Sequence, residues 1–182
     1  MKSRRPSRQA RLKGLVLTEG EETEKTYLEQ LRQSLPRQSG TTFDIKGLGK
    51  DPVTLVRTAI RLRRHHDWVV CLVDVDQHAH LEQALREARS HEVQVVVSNP
   101  CFEIWLRWHL EDCHQETDAK TLHRRLATLK ALEGKTVARS FPFEQRDDAR
   151  RRAHAAHPGQ AASTVGPNPS SPMAVLLDLI GA

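Results

Sequence analysis

Trp68-Val69-Val70-Cys71-Leu72-Val73-Asp74-Val75-Asp76 is the stretch whose reading decides the fold. A short apolar run, rich in β-branched side chains and without polar alternation, fits a strand covered on both faces. It ends in two carboxylates. Positions 74 and 76 lie two apart, so in an extended chain both project to one side while Val75 turns to the other. Toward the N-terminus, Leu15-Val16-Leu17 is a second such run, and it too ends in acid, at Thr18-Glu19-Gly20-Glu21. Ligands of open α/β sheets bind at the carboxyl ends of the strands, so two acid-tipped strands predict a carboxylate-lined metal pocket. Carboxylates gathered in one place repel one another, and a divalent cation is the usual remedy. Taken alone, either cluster also reads as an N-cap for the helix that follows.

Outward from these two runs the chain alternates regularly. A strand over residues 12–18 precedes a helix over 23–35, with Tyr27, Leu28, Leu31 and Leu35 at helical spacing and Pro36 and Gly40 to end it. A strand near 43–46 leads to Asp51-Pro52, a cap and first-turn proline for a helix carrying Val53, Val56, Ile60 and Leu62. Gly47-Leu48-Gly49-Lys50 between them lacks the spacing of a phosphate loop and reads as a turn. After the strand at 68–73 come a helix over 81–89 and a strand over 93–97. Ser98 or Asn99 is then expected to cap a helix with Pro100 near its first turn, placing Phe102, Trp105, Leu106 and His109 on one face. Glu103 falls in that first turn, a fourth acidic group for the pocket, although the helix dipole explains it equally well. Four strands with intervening helices predict right-handed crossovers and a parallel four-stranded sheet. Helices over 117–132, 144–157 and 173–180, with an extended stretch over 159–172, complete a helical C-terminal extension.

At 182 residues and 20.7 kDa, residues 12–182 fit one domain behind a flexible basic arm, 1–11, that carries Lys2, Arg4, Arg5, Arg8 and Arg11. The net charge of +5 and pI near 9.4 favour a polyanionic partner. The candidates for phosphate contact are Arg146, Arg150, Arg151 and Arg152 on a helix with few apolar residues, and Lys135 in Gly134-Lys135-Thr136. Arg61, Arg63, Arg64, His65 and His66 cluster at the end of a helix, where cations suit the dipole. An aromatic content of 4% argues against a base-stacking platform. Cys71, Cys101 and Cys113 are odd in number and widely spaced, as in a cytoplasmic protein with reduced thiols, and a zinc site at His109, Cys113 and His114 lacks a fourth ligand. No stretch approaches the roughly 20 apolar residues of a membrane span.

Thr18-Glu19-Gly20 with Thr23-Glu24 and Tyr27, Asp74-Val75-Asp76-Gln77-His78, the block 98–109 and Asn168-Pro169-Ser170-Ser171 together resemble the RloB family, in order and over essentially the whole chain. Ser-Asn-Pro-Cys-Phe-Glu-Ile-Trp, at 98–105, is the specific part. The resemblance implies a Toprim-type metal-binding fold related to OLD-family nucleases, topoisomerases and bacterial primases. It implies a phage-defence effector of the abortive-infection type, encoded beside an ATPase partner. Glu19 matches the Toprim glutamate, Asp74 and Asp76 match its Asp-x-Asp, and Glu103 lies in the family's own block. Gln77 stands where relatives are expected to carry a third acid, which weakens a second metal site. The expectation is a Mg²⁺- or Mn²⁺-dependent nuclease acting on DNA or RNA, with Glu19, Asp74, Asp76 and Glu103 catalytic and the first three binding metal. The partners expected are nucleic acid, an ATPase and a second copy in a homodimer, with no membrane. A non-catalytic module that binds nucleic acid or the ATPase is the alternative.

Overall fold

The apolar runs become a sheet. A computed structural model describes residues 11–36, 40–75 and 79–182. β1 (Leu12–Thr18), β2 (Thr41–Gly47), β3 (Trp68–Asp74) and β4 (Gln94–Ser98) pair in parallel in the order β2-β1-β3-β4. Between β1 and β3 the direction of winding reverses, and this is where such sheets open a crevice at their carboxyl edge. α1 (Thr23–Ser34), α2 (Pro52–Leu62) and α3 (Leu81–Ser90) make the crossovers. Asp51 caps α2 as the sequence predicts, its side chain accepting from the Thr54 N–H at 3.1 Å.

Alternate side chains of β1, β3 and β4 enter separate cores. Leu15, Leu17, Val69, Cys71, Val73, Val95 and Val97 pack with residues of α2 and α3. Val16, Val70, Leu72 and Val96 pack with α1, with α4 (Glu103–Leu110) and with α7 (Met173–Ile180). Both faces are therefore covered, which is why these strands show no polar alternation. Gly14 lies under the Trp68 indole, and a β-carbon there would overlap the ring.

The chain beyond β4 and at its end departs from the sequence reading in several places. The helix expected over 117–132 is α5 (Ala119–Thr128); Lys130 turns left-handed at φ 56°, and the chain enters a hairpin of β5 (Leu132–Glu133) and β6 (Thr136–Val137) that was not foreseen. α4 begins at Glu103 with no side-chain cap. Ser98 and Asn99 instead bind the extended segment. The Ser98 and Ser171 hydroxyls meet at 2.9 Å, Asn99 and Ser170 exchange backbone hydrogen bonds of 2.8 and 2.9 Å, and Asn99 Nδ2 donates to the Gly166 carbonyl at 2.9 Å. The Ser163 N–H donates to the Val95 carbonyl at 2.7 Å, so residues 163–171 run along β4 before α7 begins. α6 (Arg146–Ala156) packs on α4. Among the described residues no helix is long and apolar enough to cross a membrane.

Candidate metal and nucleic-acid site

Four carboxylates from separate elements interact at the carboxyl edge of the two central strands. Glu19 follows β1 and Asp74 ends β3, and the Glu19 carboxylate accepts the Asp74 N–H at 3.4 Å. Glu103 stands in the first turn of α4. The fourth is Glu24, which the sequence reading did not assign to the site. It lies in the first turn of α1, is 8% exposed, and accepts the Gly20 N–H at 3.2 Å. A side chain at 20 would overlap the Glu24 carboxylate in its present position and displace it. The Thr18 hydroxyl donates to the Gly20 carbonyl at 2.6 Å and holds the loop in place. A signal was available: Glu24 shares the buried stripe of Tyr27, Leu28 and Leu31, where an acid has no reason to sit unless it faces a site.

The electrostatics follow from burial and like charge. Asp74 is held well above the usual carboxylate range by burial first, then by Glu24, Glu103 and Glu19, against a hydrogen bond from the Phe102 backbone. Glu24 is raised by burial, with Glu103 and Glu19 adding to the effect and the Gly20 backbone opposing it. The buried Cys101 thiol is pushed up by burial and by Glu103 and Asp74. An all-oxygen set of this kind suits a hard cation such as Mg²⁺ or Mn²⁺ and does not suit zinc. Among the described residues, no three of His, Cys, Asp and Glu gather closely enough to hold one ion. Asp76, with Gln77, lies outside the described residues.

Beneath the carboxylates a closed polar ring ties α1 to α4. His109 Nδ1 lies 3.1 Å from the Trp105 carbonyl, which can only accept, so Nδ1 carries the proton and Nε2 accepts from the Tyr27 hydroxyl at 3.3 Å. That hydroxyl in turn accepts from Trp105 Nε1 at 2.8 Å. Burial lowers the imidazole to about 4, so it is neutral. Tyr27 is one turn beyond Glu24 and Trp105 is two residues beyond Glu103, so the ring fixes how the two acid-bearing turns sit relative to each other. His109 is engaged as a core residue, and the zinc reading finds no support among the described residues.

The basic candidates divide. Lys135 is exposed in the hairpin turn, where its carbonyl accepts from the Thr23 hydroxyl at 2.8 Å, and it lines an open cavity of about 290 Å³ with residues 20–24, Glu24 included. The arginines of α6 have partners within the chain. Arg150 binds Asp178 at 2.7 Å and the Ala182 carbonyl at 3.2 Å; Arg152 binds the Trp108 carbonyl at 2.6 Å and Asp112 at 3.1 Å. Arg146 reaches the Phe143 carbonyl at 3.5 Å, and Arg151, with its side chain 68% exposed, pairs with Asp148 at 2.6 Å. Residues Arg63–His65 form a short helical turn just before β3, at the amino edge, the end of the sheet away from the acids. A family model described as RloB-like protein matches residues 14–180. No curated protein and no solved structure matches the chain.

Proposed function

The chain belongs to the RloB-like family, and we propose that it is a Mg²⁺- or Mn²⁺-dependent nuclease, a phage-defence effector of the abortive-infection type that works with an ATPase partner. The observation that carries this is a half-buried Asp74 that feels the charges of Glu19, Glu24 and Glu103 at the switch point of a parallel sheet. Glu19, Asp74 and Asp76 would hold the ion, with Glu103 and Glu24 at its flank. The ion supplies polarisation of the scissile phosphate and stabilisation of charge on the leaving oxygen. Glu19 also orients Asp74 through its backbone N–H. Lys135, across the cavity from Glu24, offers a cation to a phosphate oxygen and so sets where the backbone of the nucleic acid lies. On α6, Arg151 is the exposed arginine that can add a phosphate contact once it leaves Asp148.

The experiment is cleavage of DNA and of RNA by the purified chain with its ATPase partner, in Mg²⁺, Mn²⁺ or EDTA. Metal-dependent cleavage is expected, and Glu19→Ala should lower its rate by a factor of about 100 or more. Cleavage that persists in EDTA or in Glu19→Ala would overturn the assignment. Binding without cleavage would leave the chain as a nucleic-acid or ATPase-binding module.

A further inference from the structure

A second cavity, of about 410 Å³, lies between the end of α6 and the start of α7. Its walls are Ala153, Pro172, Ala174 and Val175, with His154 and His157 at the side. This size is within the range of small-molecule sites. A smaller recess of about 40 Å³ adjoins it, and His157, Gly159, Gln160 and Pro172 line both. No carboxylate is among the described residues lining either space.

Three kinds of donor border these two spaces, Ser170 at the recess and Arg150 and the start of α7 at the larger cavity. Ser170 lines the recess and is 1% exposed, yet its hydroxyl has no hydrogen-bond partner. A buried hydroxyl left unpaired opposes folding, so it calls for a ligand or solvent. Arg150 lines the larger cavity, and although its terminal nitrogens bind Asp178 and the Ala182 carbonyl, its Nε is buried without a partner. The first turn of α7 forms the third side. Its N-cap is Pro172 and no side chain caps it, so apart from the Val175 N–H, which donates to the Pro172 carbonyl at 3.0 Å, its leading amides lack a capping side chain at the positive end of the dipole. Hydroxyl, guanidinium and helix amides are a donor set for a phosphate. The apolar walls and two imidazoles suit a flat organic body beside it.

We propose that the cavity between α6 and α7 binds a small organic phosphate the size of a nucleoside monophosphate, either free or as the end of a strand. The site also has a route to the acidic edge. Ser171, in its wall, meets the Ser98 hydroxyl at 2.9 Å, and Ser98 is the register partner of Asp74 in β3. A ligand seated against residues 170–172 therefore bears on the strand end that carries Asp74.

Calorimetric titration of the full chain in EDTA, with AMP, inorganic phosphate and a 5′-phosphorylated dinucleotide as separate probes, tests the site without reference to cleavage. Saturable binding of AMP at one per chain is expected, tighter than that of inorganic phosphate. A dinucleotide binding at least tenfold more tightly than AMP would mark a strand end as the source; the reverse would mark a free nucleotide. Ser170→Ala should weaken AMP binding about tenfold while leaving the melting temperature equal to or above that of the parent, because the hydroxyl it removes has no partner. Val175→Phe, which fills the cavity from α7, should abolish binding. Absence of saturable binding to all three probes would overturn the proposal. So would binding that Ser170→Ala and Val175→Phe leave unchanged, in which case the Ser170 hydroxyl is met by a single water.

Discussion

Asp74 ionises against burial and against Glu24, Glu103 and Glu19, so without a cation its charge opposes folding. Its folded acid constant lies above the unfolded one, and the stability it contributes is present at acid pH and lost as pH rises through the folded value. Asp74→Asn should therefore melt higher than the parent in EDTA at neutral pH, by roughly 2–4 °C for each kcal/mol of repulsion relieved, with the gain vanishing at acid pH. A variant that melts lower in EDTA at neutral pH would show that the carboxylate is stabilised where it lies. His109 runs the other way. Its imidazole is lowered to about 4 from 6.5, so stability is complete above the unfolded value and is lost as pH falls from about 6.5 through about 4. The loss amounts to ~3 kcal/mol, and denaturant midpoints across that range should fall less steeply in His109→Gln than in the parent. The positions of Glu19, Asp74 and Glu103 at the carboxyl edge were legible from the sequence because strand ends and first turns announce themselves. Glu24 was legible only as an acid on the apolar stripe of Tyr27, Leu28 and Leu31, since its contact with the Gly20 N–H is not encoded by residue spacing.

α6 shows how a charge pattern misleads when elements are read one at a time. Four arginines on a helix with few apolar residues read as a solvent face open to phosphate, yet Arg150 ties α6 to α7 and Arg152 ties it to the end of α4. Arg152→Ala leaves the Trp108 carbonyl without its donor and should cost about 1–3 kcal/mol in urea unfolding. Arg151→Ala, which breaks an exposed pair with Asp148, should stay within about 0.5 kcal/mol. Equal losses in the two variants would return α6 to the role of a uniform basic face. The hairpin of β5 and β6 escaped notice for a related reason. Each strand has two residues, too few for any periodicity, and the left-handed Lys130 that stops α5 is not a residue that predicts such a turn. The caps expected at Ser98 and Asn99 failed because both residues bind the 163–171 segment, a partner some seventy positions away.

At the level of the whole molecule, strand type and parallel sense were readable, since unbroken apolar runs demand cover on both faces. Strand order was not. The placement of β1 beside β3, which brings Glu19 to Asp74, follows from which helix covers which face. Mg²⁺ or Mn²⁺ should raise the melting temperature by binding the native state alone, and Asp74→Asn with Asp76→Asn should abolish that rise without loss of secondary structure by circular dichroism. A double variant that responds to metal as the parent does would place the ion elsewhere. The pairing of Asn99 and Ser98 with Ser170 and Ser171 bears on how the protein is made. During synthesis Glu19, Glu24, Asp74 and Glu103 leave the ribosome well before the segment that closes over β4. Nascent chains stalled before residue 168 carry Glu19, Glu24, Asp74 and Glu103 and lack that tie, so the end of β4 beside Asp74 gains these partners only when translation is nearly finished.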